Sequence, residues 1–177
     1  EKHNLKVGTI ADLIDYKLSK ESTIENVHTK EVSTEFGEFR LDVWRDVIFD
    51  EHHFSLTKGS PEKVDVPMVR VQTQSVLQDT LGIDEIGKKW SIRKSLQKIS
   101  EEGTGVFVLI NHRDAKTYWL SSLKDENIEP KRNRRVIGIG SQILRSLGLS
   151  RINVLGTPTK YSGLSGFNIE IKGFIDE

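Results

Sequence analysis

The side chains best suited to chemistry in this chain are cationic and imidazole groups. Lys131, Arg132, Asn133, Arg134 and Arg135 form a basic run immediately ahead of an apolar, helix-like stretch. Guanidinium forks match phosphate oxygens, and a helix N-terminus nearby would add to that attraction, so the run reads either as a phosphate-binding loop or as a solvated one. Arg70 and Lys160 are isolated cations, and Arg113 follows His112 at the end of an apolar run. His112 could therefore line a pocket. His52 and His53 are adjacent, and neighbours in a strand point to opposite faces, so they cannot share a metal without a bulge; they read as surface or turn residues. The chain has no cysteine, which excludes disulfides, thiolate nucleophiles and cysteine-ligated metals.

The elements that must position these groups are those of one ordinary domain. The 177 residues are 36% hydrophobic and 29% charged, with 26 basic against 26 acidic side chains. That zero balance gives no global reason to expect a nucleic-acid partner or an anionic membrane surface. No run is long and apolar enough to span a bilayer, and Glu1 to Lys6 is too polar for a secretory signal, so a cytoplasmic location is the expectation.

Along the chain, Leu13, Ile14 and Leu18 mark a terminal helix, and the polar stretch Lys20 to Lys30 reads as a linker or as a short strand around Ile24 to Val27. Phe36 to Val47 alternates apolar and polar residues like a half-buried strand. His53 to Leu56 and Val66 to Val71 continue the pattern, predicting an antiparallel meander. Trp90 to Glu102 has helical spacing with Gly103 as a stop, and Gly105 to Ile110 is an uninterrupted apolar run suited to a buried central strand. Gly140 to Leu147 predicts a second helix, Arg151 to Leu155 a strand, and Phe167 to Phe174 a last strand. The sum is an α/β domain: a mixed sheet with flanking helices and a β-rich N-terminal half.

Several segments carry a resemblance. Met68 to Lys89, MVRVQTQSVLQDTLGIDEIGKK, resembles the metal-binding segment of GTP cyclohydrolase II, whose usual form is close to VRVHSECLTGD followed by SLRCDCG. STEFGEFRLDVWRD resembles that domain's opening strands, and GIG.QILR.LG from Gly138 to Gly148 is the most specific match. Gly156 to Lys160 and Gly163 to Phe167 resemble its TNNP.K and GLEGYG turns. Where the family carries three zinc-ligating cysteines, this chain has Ser75, Ile86 and Lys88. A neutral serine is a poor ligand, isoleucine has no lone pair, and an ammonium repels the cation, so the resemblance implies no zinc and no other cofactor.

The same resemblance implies further losses. Arg135 falls on the family's proposed arginine nucleophile, but Asn133 replaces the acid/base aspartate and Val136 a second one. An amide cannot take up a proton at neutral pH. The RQEGR nucleotide loop becomes Asn111-His112-Arg113-Asp114-Ala115, and Lys116 to Glu129 is shorter than its family counterpart. Arg70, Arg113, Arg135 and Lys160 are then a remnant of the ligand site. HNLKVGTIADLIDYKL resembles the C-terminal end of 3,4-dihydroxy-2-butanone 4-phosphate synthase, so residues 1–30 are expected to be the tail of an upstream synthase plus a linker, and residues 31–177 the cyclohydrolase-like domain. The implied function is an inactive domain in a riboflavin biosynthesis protein, a homodimer, that supports, dimerises or regulates the attached synthase. The alternative is a sensing module that binds a purine nucleotide or a flavin.

Overall fold

The computed structural model describes residues 22–83, 90–111, 134–159 and 167–176. Within them the strands are β1 (Ile24–Thr34), β2 (Gly37–Asp46), β3 (Glu51–Lys58), β4 (Met68–Thr73), β5 (Gly105–Ile110), β6 (Arg151–Leu155) and β7 (Glu170–Ile175). The helices are α1 (Ile92–Glu102) and α2 (Arg134–Ser146). All seven strands form one sheet in the order β1-β2-β3-β5-β4-β6-β7. The β1, β2, β3 and β5 ladders are antiparallel, whereas β4 pairs parallel to β5 and to β6, and β6 parallel to β7. This is the expected mixed α/β sheet.

A helix covers each face. On β5, Val106, Val108 and Ile110 point into the core under α2, with Ile139, Ile143 and Leu144. Phe107 points the other way, against Leu96 and Ile99 of α1. The uninterrupted apolar run is thus a strand buried on both sides. Ser91 caps α1, its Oγ accepting the Lys94 N–H at 3.2 Å, and Gly103 ends it with a left-handed φ of 75°. On the other face α2 sits close to β4, where a Cβ on Gly140 would lie 2.7 Å from Val71 Cγ1. A larger residue there would force Val71 or the helix to shift.

The antiparallel meander stops at β3. Val66 to Val71 was expected to extend it, but β4 lies between β5 and β6 and runs parallel to both. Met68, Val69, Arg70 and Gln72 are all buried, so this strand has no solvent face, as a central parallel strand requires. The strand around Ile24 to Val27 continues to Thr34, so the sheet begins inside the span assigned to tail and linker. The second helix starts at Arg134 rather than Gly140, taking part of the basic run into regular structure, and the last strand begins at Glu170 rather than Phe167. The N-terminal helix around Leu13 lies outside the described residues.

Candidate functional site

The chemically richest place among the described residues is where the β2–β3 hairpin meets the start of α2. The ladder pairs Trp44 with His53 and Asp46 with Glu51, so all four side chains lie on the α2 face. Directly opposed residues in an antiparallel pair bring their Cβ atoms to about 5 Å, which places two carboxylates side by side. Asp46 and Glu51 are both buried, and such a pair requires a cation. Arg135 supplies it. Its Nη2 donates to Glu51 Oε2 at 2.6 Å and lies 3.3 Å from Asp46 Oδ2. The guanidinium carbon also stands 3.6 Å from the centroid of the Phe49 ring, a cation–π contact.

The second carboxylate oxygen of Asp46 organises the turn. Oδ1 accepts the Ile48 N–H at 2.9 Å and the Phe49 N–H at 3.4 Å, an aspartate turn, and Asp50 closes the hairpin at a φ of 51°. His53, fully buried, stands on the same face. Its Nδ1 accepts the Asn111 N–H at 3.2 Å, which leaves the proton on Nε2, where no acceptor among the described residues meets it. Burial holds the imidazole pKa below its ordinary value; Asp46 and Glu51 oppose that effect, while Arg135 and His52 add to it.

Arg70 occupies the opposite face. It alternates with Val69 along β4 and stands beside Phe107 on β5, on the α1 side. Its Nη1 donates to the Leu155 carbonyl at 2.6 Å, its Nη2 to the Trp90 carbonyl at 3.2 Å, and its Nε to Gln72 Oε1 at 2.8 Å. One guanidinium therefore ties together the end of β6, the approach to α1 and its own strand. Arg70 and Arg135 do not converge on one pocket, because the sheet lies between them.

Ser75 has a structural task. Its Oγ accepts the Gln78 N–H at 3.3 Å, capping a wide helical turn over Val76–Thr80. Asp79 closes this loop onto α1, with Oδ2 accepting the Ser75 N–H at 2.7 Å and Oδ1 the Ile92 N–H at 3.0 Å. A neutral hydroxyl used as a cap, an isoleucine and a lysine do not fit a zinc ion. Among the described residues, no group of three or more histidines, aspartates or glutamates has metal-holding geometry. Ile86, Lys88, His112, Arg113, Asn133 and Lys160 lie outside the described residues.

Asp46, Glu51 and Phe49 are not among the residues that the sequence nominates, and His53, expected at the surface, is buried. The correction has a physical cause. In β3 the apolar Phe54 and Leu56 alternate with His53, Ser55 and Thr57, so alternation nominates the apolar face as the buried one. In the sheet it is the polar face that is fully buried, beneath α2, while Phe54 and Leu56 are half-buried. The available signal was Trp44, whose indole N–H donates to Ser55 Oγ at 2.9 Å. A buried tryptophan in β2 fixes the burial of Asp46, two residues along the same face.

A seven-stranded mixed sheet with a helix on each face defines a mixed α/β domain. The chain belongs to the GTP cyclohydrolase II family, whose model matches residues 25–176. It is 35% identical over 179 residues to the 3,4-dihydroxy-2-butanone 4-phosphate synthase of Pseudomonas syringae pv. tomato, covering 97% of this chain and 48% of that protein. It is 32% identical to riboflavin biosynthesis protein RibBA of Cytophaga hutchinsonii, covering 96% of this chain and 46% of that one. The crystal structure of RibBX, a two-domain 3,4-dihydroxy-2-butanone 4-phosphate synthase from A. baumannii, is similar with a TM-score of 0.70 and 30% identity, over 99% of this chain and 47% of that chain. The chain spans about half the length of the curated relatives it matches. No helix among the described residues is long and apolar enough to cross a membrane.

Proposed function

We propose that this domain keeps the GTP cyclohydrolase II fold without its chemistry, and that it supports, dimerises or regulates a 3,4-dihydroxy-2-butanone 4-phosphate synthase joined to it in a longer riboflavin biosynthesis polypeptide. The observation that carries the reading is the state of Arg135. It stands at the position of the family's proposed nucleophile, yet its guanidinium bridges two buried carboxylates and lies against Phe49. An arginine held this way is a structural cation, and attack on a purine ring would require it to leave both partners. Asn133 in place of the acid/base aspartate and the absence of every cysteine support the same conclusion. The names and doubled length of the relatives support attachment to a synthase.

The test uses the full polypeptide. With zinc supplied, it is expected to release no formate from GTP above a no-enzyme control. Shortening it at Glu21 is expected to change synthase turnover or oligomeric state. Formate release, or a synthase indifferent to the truncation, would overturn the proposal. A second reading, a sensor for a purine nucleotide or a flavin, is favoured by one observation: among the described residues, the buried His53 Nε2–H meets no acceptor. A ligand that binds only the folded state raises the melting temperature, so a shift with GTP, GMP, FMN or riboflavin supports sensing and the absence of any shift removes it.

A further inference from the structure

The tip of the β2–β3 hairpin does not look like a turn built for water. Val47, Ile48 and Phe49 are consecutive, and 43%, 58% and 48% of their surfaces are exposed. Tight hairpin connections normally use glycine, asparagine and aspartate, and large apolar side chains are uncommon there. Isolated exposed apolar residues need no explanation, but three in succession on a projecting turn do.

The tip is also held rigid. Asp46 Oδ1 accepts two successive N–H groups of the turn, and Arg135, anchored by Asp46 and Glu51, supports the Phe49 ring from below. A contact surface fixed in advance loses little conformational entropy when it is covered. The cation at the family's nucleophile position therefore presents an apolar knob.

We propose that this tip is the docking surface for the polypeptide that precedes Thr23, the N-terminal half of the longer protein. The proposal rests on the reading that such a half is attached. Its location is the first argument. Val47 N–H donates to the Thr23 carbonyl at 2.9 Å, and Thr23 is pinned in turn by its N–H on Gln142 Oε1 at 2.8 Å. The chain thus enters the domain one hydrogen bond away from the apolar tip. Scale is the second. A stable free dimer buries roughly 1,200–2,000 Å², far more than three side chains provide, whereas a tethered domain has a high effective concentration and needs little area. The neighbouring sheet edge is the third. β1 presents exposed Glu25, Lys30 and Glu31 and a bulge between Asn26 and His28, which discourage strand addition by a second copy.

The test is thiol accessibility in the full polypeptide, with modified peptides quantified by mass spectrometry. Ile48→Cys and, separately, Val47→Cys are compared with Lys30→Cys on exposed β1. Modification at both tip positions is expected to be slower by about tenfold or more, and to stay slow when the protein is diluted to monomer. Adding Ile48→Asp to Val47→Cys is expected to restore fast labelling. Equal rates at the tip and on β1 would overturn the proposal. Protection lost on dilution would overturn it as well, assigning the tip to a second copy. Formate release from GTP would overturn the functional reading and leave this surface untouched, so the two failures are distinguishable.

Discussion

Arg135 Nη2 stands 2.6 Å from Glu51 Oε2, across the junction of α2 with the β2–β3 hairpin. The pair is mostly buried, with side-chain exposures of 20% and 7%. Removing one partner of such a pair takes a charge-assisted hydrogen bond from a buried ion, which costs more than the pair itself contributes.

Arg135→Met is therefore expected to destabilise the domain by about 3 kcal/mol, because Asp46 and Glu51, both buried, lose the guanidinium that bridges them. Faster hydrogen exchange of the β2 and β3 amides measures it. Adding Asp46→Asn and Glu51→Gln is expected to recover at least part of that loss, since the charges are then gone. Unchanged exchange in Arg135→Met would mean that the carboxylates are compensated from elsewhere.

A comparable argument applies to Arg70 on the opposite face. Three acceptors on separate elements, the Leu155 carbonyl, the Trp90 carbonyl and Gln72 Oε1, converge on one planar donor. Arg70→Met takes a charged donor from three buried acceptors and is expected to cost about 3 kcal/mol. Arg70→Lys is expected to recover less than half, because an ammonium cannot reproduce the fork. Denaturant unfolding followed through tryptophan fluorescence, with both variants in parallel, is the measurement. Equal stability of the lysine variant and the parent would contradict the three-way clamp.

The elements legible in the sequence were those whose pattern and burial agree. Gly105 to Ile110 and Arg151 to Leu155 match their strands, and Ser91 with Gly103 bounds α1 almost where the spacing placed it. What stayed hidden was which neighbour a strand takes. Nothing local in Val66 to Val71 distinguishes a fourth meander strand from a strand slotted between β5 and β6, because the choice is made by residues remote in sequence. The site was hidden for a related reason. Arg135 reads as one of five residues in a solvated run until the fold brings Asp46 and Glu51, distant in the chain, to the same point.

His53 provides a pH-dependent consequence. Burial lowers its folded-state pKa below the ordinary value of 6.5, although Asp46 and Glu51 pull the other way. In the unfolded chain the imidazole takes up its proton as pH falls through that ordinary value, while in the folded protein it remains neutral until a lower pH. Over that interval the unfolded state binds more protons, so acid favours unfolding. Stability is therefore expected to be level with respect to this group above about pH 6.5, to fall on acidification with a slope of at most about 1.4 kcal/mol per pH unit, and to level again below the folded-state value. Protonation also ends the Asn111 N–H to Nδ1 hydrogen bond, so the C-terminal end of β5 is expected to loosen over the same interval. His53→Asn keeps an acceptor near the Nδ1 position and cannot titrate. Urea unfolding of both proteins from about pH 7.5 to about pH 5.5 compares the slopes, and the variant is expected to lose this component. If the two proteins lose stability in parallel on acidification, His53 is not the group responsible.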